Sequence, residues 1–269
     1  MRKDLQKTAL VHEYFNQLGG AERVVLQLAE LFPEAPIYTL FITPAIREKL
    51  PLQVESRIRT SFLQRFPQWM LNKRLLFPLY PIAIEQFDFG QYTTVISSSS
   101  AYAKGIITRP QTKHVCYCHS PTRYLWDWYH NYLDEQPLGW ISKKFLPFIL
   151  GKIRLWDHIA SKRVDFWLAN SSHVQKRIKK YYQAESTVVY PPVPVKKISA
   201  NHPAPLAAQQ RRYFLIVSRL SAYKKLELAI EACNRLGVSL KIAGIGRELE
   251  RLQQIAGEKI AFLGRVSDE

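Results

Sequence analysis

Arg219 and Lys224 occur together in Ser218-Arg219-Leu220-Ser221-Ala222-Tyr223-Lys224-Lys225, between a β-rich run and a helical one. Arg offers a planar fork of donors and Lys a compact point charge, a pair suited to a diphosphate. Two solvated surface cations would have the same composition. A second candidate is Gly19-Gly20, in the turn between the first strand and the first helix. There a helix N-terminus offers free N–H groups and glycines admit a close ligand, although such a pair also serves turns structurally. A third is Cys118-His119-Ser120-Pro121-Thr122, followed by Tyr124, Trp126, Trp128 and Tyr129. His119 falls at the carboxyl end of a strand, where ligand-facing side chains stand in open parallel sheets. His12 and Glu13 end the first strand in the same way, and a structural role there competes with substrate contact. A zinc site from Cys116, Cys118 and His119 is disfavoured, because strand alternation divides these side chains between two faces. No Gly-x-Gly-x-x-Gly is present, which argues against a nicotinamide dehydrogenase, and no Asp-x-Asp stands between strands to hold a metal.

The elements that must position these residues alternate short β-rich runs with helical ones, the pattern of parallel βαβ units. Strands are expected at 8–11, 37–40, 95–97, 114–118, 166–169 and 188–190. A helix from about Ala21 to Leu31 carries Val24, Val25, Leu28 and Leu31 on one face. Another, capped by Ser171 or Ser172, runs to about Tyr182. From Val193 to Arg212 the composition turns to Pro, Ala, Gln and Lys without periodicity, which reads as a linker. The rhythm then restarts with strands at 214–217, 240–243 and 260–263 and helices at 226–236 and 247–256. The expected domains are therefore 1–192, a linker at 193–212, and 213–269. A parallel sheet of only three strands is poorly covered, so the second domain is expected to be cut short.

The 269 residues carry 38 Lys and Arg against 22 Asp and Glu, a formal charge of +16. Such a surface attracts nucleic acid, anionic lipid or phosphorylated substrates. Three cysteines without framework spacing and the lack of an apolar run behind Met1 point to a cytoplasmic, soluble protein. No nucleic-acid-binding module is recognisable. Residues 61–80 interleave Phe62, Phe66, Trp69, Met70, Leu71, Leu75, Leu76, Phe77 and Tyr80 with Arg65, Lys73 and Arg74. Residues 140–156 repeat the mixture with Lys143, Lys144, Lys152 and Arg154. Both suit an anionic membrane surface, and both equally suit core helices with a basic outer face.

Taken together, the segments resemble the retaining glycosyltransferase family 4. They are Gly19-Gly20-Ala21-Glu22-Arg23-Val24, Cys118-His119-Ser120-Pro121, Ala169-Asn170-Ser171, Tyr190-Pro191-Pro192-Val193, Val217-Ser218-Arg219-Leu220 through Lys224, Ile242-Ala243-Gly244-Ile245-Gly246 and Phe262-Leu263-Gly264. The resemblance is nearest to bacterial mannosyl- and related transferases that build surface polysaccharides. It implies the GT-B fold, two Rossmann-like α/β domains, and transfer of a hexose such as mannose from a GDP- or UDP-sugar, with no metal or other cofactor. It implies donor-diphosphate binding by Gly19, Gly20, Arg219 and Lys224, with Gly244 and Gly246 beside the nucleotide. His119 is implied as the contact to the donor sugar, and His12, Glu13 and Glu22 are candidates for the acceptor side. The implied acceptor is a glycolipid or oligosaccharide at the inner face of the membrane. The family pattern has a glycine where this chain has Lys225, and a pair of glutamates in the second domain that is not found before Glu269. An impaired fragment that only binds a partner or membrane, and a nucleotide-sugar epimerase of the same architecture, are the alternatives.

Overall fold

A computed structural model describes residues 7–72, 76–135, 140–193 and 212–266. The chain divides into two compact units, Met1–Val193 and Pro194–Glu269. Most of the compositional linker (194–211) and the terminal segment Ser267–Glu269 lie outside the described residues.

The first unit is built on a seven-stranded parallel sheet in the order β3-β2-β1-β4-β5-β6-β7. Its strands are β1 (Thr8–His12), β2 (Ile37–Thr39), β3 (Ile58–Thr60), β4 (Thr94–Ser99), β5 (Lys113–Cys118), β6 (Phe166–Ala169) and β7 (Thr187–Val188). β1 is buried along its whole length, as a central parallel strand covered on both faces must be. Its side chains alternate between two cores: Ala9 and Val11 belong to one cluster, Leu10 to the other.

β1 pairs with β2 on one side and β4 on the other, with His12 opposite Ser98. The chain winds outward from β1 through β2 and β3, then returns to β4. The crevice beyond the carboxyl ends of β1 and β4 is therefore the topological switch point, where open α/β sheets bind ligands.

Helix α1 (Gly20–Leu31) follows β1 and buries Val24, Val25 and Ala29. The short helices α2 (Pro44–Arg47), α3 (Leu52–Glu55), α4 (Gln68–Asn72) and α5 (Tyr80–Glu85) fill the crossover from β2 to β4. Helices α6 (Tyr129–Glu135) and α7 (Trp140–Ser161) link β5 to β6, and α8 (Ser172–Tyr182) follows β6. Ser171 caps α8 by accepting from the Val174 N–H at 3.2 Å.

The strand β3 and the helices between β2 and β4 were not apparent from periodicity. Each is only three to six residues long, too short to show a period. Residues 61–80 are largely core. Leu63, Leu71, Leu76 and Tyr80 are buried, and Phe62, Phe66, Met70 and Phe77 pack against them. Trp69 alone of the named aromatics is strongly exposed; Lys73, Arg74 and Leu75 lie outside the described residues.

The second unit has three parallel strands in the order β10-β9-β8: β8 (Phe214–Val217), β9 (Leu240–Ala243) and β10 (Ile260–Gly264). Helices α9 (Leu226–Leu236) and α10 (Leu249–Gln254) cover one face, with Leu226, Ile230, Leu240, Ile242 and Leu252 as the core.

Candidate active site

At the switch point of the first unit, His12 ends β1 and directs Nδ1 toward the Ser98 carbonyl oxygen at 3.3 Å. A carbonyl only accepts, so Nδ1 carries the proton and Nε2 is turned the other way. Nε2 faces Glu22 Oε1 at 3.8 Å, where a protonated ring pairs with the carboxylate. Glu22 occupies the first turn of α1 and accepts from the Gly19 N–H at 2.8 Å, a glutamate folded back on the helix start. Burial works to raise its pKa. The His12 ring and the N–H groups of Glu22 and Gly19 outweigh burial and hold the carboxyl below its ordinary value.

One strand over, Ser98 Oγ lies 2.7 Å from His119 Nε2, and Ser97 Oγ lies 2.8 Å from His114 Nε2. Burial, reinforced by the neighbouring His12, pushes His119 down to about 4. Burial does the same to His114. Both rings are therefore neutral near pH 7. His119 can exchange hydrogen bonds with a hydroxyl-bearing ligand, but it holds no proton to give as an acid.

Gly20 opens α1 and is exposed, and a Cβ built on it would meet nothing within 4 Å. The backbone at this helix start is thus open to a ligand. The structure brings His12, Gly19, Gly20, Glu22 and His119 to one edge of the sheet. Glu13 is placed differently. Its Oε1 accepts from the N–H groups of Ser100 at 2.7 Å, Ala101, and Tyr102 at 2.9 Å, and from the Ser99 hydroxyl. The carboxylate fills a nest of backbone amides after β4 and holds that turn.

Sequence patterns gave no sign of the network behind this edge. Lys104 and Asp157 form an ion pair at 2.6 Å, each about 1% exposed. Asp157 also accepts from Thr122 Oγ1 at 2.6 Å and Trp126 Nε1 at 2.9 Å. It therefore fastens the turn that follows His119 to α7. Lys104 donates to the Ala101 carbonyl in the turn that Glu13 holds. Cys116 and Cys118 lie in an apolar cluster with Trp167 and Ile178. Burial raises the first thiol to about 12 and the second well above its usual range, which suits packing rather than metal ligation. Among the described residues, no three His, Cys, Asp or Glu side chains gather as a metal site.

In the second unit, Arg219 and Lys224 stand exposed in the loop after β8. The backbone of that loop is fastened to the loop after β9. Ser218 N donates to the Ala243 carbonyl at 3.0 Å, Leu220 N to Ile245 at 3.1 Å, and Glu248 N to Leu220 at 3.3 Å. Two glycines permit this approach. A Cβ on Gly244 (φ 145°) would fall 1.8 Å from the Ser218 carbonyl oxygen, and one on Gly246 2.0 Å from that of Leu220. Lys225, where the family pattern has glycine, has φ 52° and precedes α9 in the left-handed conformation. The glycine preference there is a backbone requirement that this chain meets with a strained lysine.

The family model for Glycosyltransferase Family 4 matches residues 18–197. The chain belongs to that family. It is a glycosyltransferase. Solved structures agree on the GT-B fold. The lipopolysaccharide outer core galactosyltransferase WaaB matches 97% of the chain and 68% of its own, at 16% identity and a TM-score of 0.56. HepE from Anabaena, determined with UDP and with UDP and glucose, matches 97% of the chain and 70% of its own, at 15% identity. Its TM-scores are 0.57 and 0.58. No curated protein sequence is significantly similar to the glycosyltransferase. No helix among its described residues is long and apolar enough to cross a membrane.

Proposed function

We propose that this glycosyltransferase moves a hexose, with retention, from a nucleoside-diphosphate sugar to a glycolipid or oligosaccharide acceptor at the cytoplasmic face of a membrane. The observation that carries the proposal is the loop of Arg219 and Lys224, two exposed cations on a backbone held by the Gly244–Gly246 segment. A diphosphate needs positive charge placed before the reaction, because a charge that must reorganise stabilises less. The proposal gives that task to the two side chains rather than to a metal ion. Gly244 and Gly246 act by setting the loop in place.

In the first unit the start of α1, open at Gly20 and turned by Gly19, receives phosphate or sugar oxygens. His119, neutral and held by Ser98, exchanges a hydrogen bond with a donor-sugar hydroxyl. His12 and Glu22 line the acceptor side, and Glu13 supports the turn beside them. In the transfer, the bond from the anomeric carbon to the diphosphate oxygen breaks as the acceptor hydroxyl adds from the same face. Its proton passes to the departing phosphate. The protein contributes position and charge.

The UDP bound to HepE supports a UDP-sugar donor; the sequence resemblance favours a GDP-sugar, with mannose as its hexose. Calorimetry of the full chain with UDP and GDP tests the assignment. One nucleotide should bind, and Arg219→Ala should remove most of its affinity; equal affinity in that variant would sink the role given to Arg219. A Cβ at Gly20 meets nothing within 4 Å, so a loss of transfer in Gly20→Ala, with the melting temperature unchanged, reports an excluded ligand rather than a damaged fold. Product formed from the donor alone, without acceptor, would mark an epimerase instead.

A further inference from the structure

The long helix α7 has two unlike faces. Leu146, Leu150, Ile153, Asp157 and Ala160 are buried in the first unit. Phe145, Phe148, Leu155 and Ile159 point outward, exposed by 62%, 63%, 63% and 52%. Their spacing places them in one stripe, with Lys152 midway along it. Lys144 is exposed at the start of the stripe, and the Lys152 ammonium lies 4.6 Å from the Phe148 ring centroid. Asp157 is the one carboxylate between positions 144 and 161, and it is buried against Lys104. The outward face of α7 therefore presents large apolar side chains with cations and no anion.

We propose that this stripe is the surface by which the protein docks on an anionic lipid bilayer. Phe145, Phe148, Leu155 and Ile159 enter the boundary between headgroups and acyl chains, while Lys144 and Lys152 meet lipid phosphates. The inference deepens the membrane location given under the proposed function, and it assigns the contact to α7 instead of residues 61–80, whose apolar side chains are mostly spent in the core. Charge argues against a second copy of the chain as occupant. Two such stripes packed about a twofold axis would set lysines against lysines with no carboxylate to offset them.

Flotation of the full chain with phosphatidylcholine vesicles, with and without phosphatidylglycerol, tests the proposal. The protein should float with the anionic vesicles only, and less as salt rises. Lys144→Gln with Lys152→Gln should weaken binding about 25-fold, at roughly fivefold per lysine. Phe148→Ser with Leu155→Ser should weaken it at least about tenfold. Trp69→Ser with Ile82→Ser, on other exposed positions, should leave it unchanged. All variants should keep the wild-type melting temperature and nucleotide affinity. Failure of the wild type to float, or equal flotation with neutral vesicles, overturns both the docking and the membrane location. Wild-type flotation that the α7 variants do not alter overturns only the assignment to α7. A dimer in solution that Phe148→Ser with Leu155→Ser dissociates, without lipid binding, gives the stripe to a second copy and overturns the proposal.

Discussion

The two candidate ligand-binding regions are built by opposite means. In the first unit the polar groups are buried and joined to one another: His12 to Ser98, His119 to Ser98, Glu13 to the 100–102 turn, and Asp157 to Lys104, Thr122 and Trp126. In the second unit Arg219 and Lys224 are exposed, and what is fixed is the backbone beneath them. A buried polar network gains strength from its low dielectric but is costly wherever a partner is lost. Exposed cations contribute little to stability. The first arrangement suits neutral hydroxyl recognition, in which direction matters most. The second suits a diphosphate, in which charge matters most.

Removing one partner of the buried pair should have the largest effect. Lys104→Met should destabilise the protein by about 3–5 kcal/mol, because Asp157 is left as an uncompensated buried charge. Lys104→Met with Asp157→Asn should recover part of the loss in urea unfolding, because the charge is gone while the amide oxygen still accepts from Thr122 or Trp126. A Lys104→Met variant as stable as wild type would mean that the network holds nothing.

Arg219→Ala is the counterpart. It should lower the transfer rate about 10²–10³-fold, by analogy with deleted oxyanion donors, while leaving the melting temperature in place. A matching fall in melting temperature would show that the second region is structural as well.

Acid should separate the regions further. His119 and His114 titrate near 4 in the folded chain and near 6.5 when unfolded. The unfolded state therefore binds more protons between these values. Stability is full above pH 6.5 and should fall as pH drops toward 4, by up to about 3 kcal/mol per histidine at about 1.4 kcal/mol per unit. Urea titrations across this range should show the slope, and His114→Gln should reduce it. A flat profile would place both rings in contact with solvent.

The smallest effect is expected at the backbone. Lys225→Gly should raise stability by about 1 kcal/mol, since the left-handed φ of 52° strains any residue with a Cβ. Transfer rates should be unchanged if the loop already has its working shape.

Much of the architecture was legible because its signals are local. The strands at Phe166–Ala169, Phe214–Val217 and Leu240–Ala243 and the helix Leu226–Leu236 fall where apolar runs and periodicity put them. Gly19-Gly20 is the strand-to-helix turn, and the resemblance carried by short motifs led to the family. Those signals arise within a dozen residues, through side-chain period and turn chemistry. What the tertiary structure alone decided lies between distant positions. Glu13 reaches a turn almost ninety residues on, and Lys104 meets Asp157 fifty-three residues away. Residues 61–80 and α7 share a composition of aromatic, aliphatic and basic side chains. Only the packing around each decides that most of the first stretch faces the core, while one stripe of the second is left facing water. Composition records what a segment is able to bury, whereas burial is set by the elements that close over it.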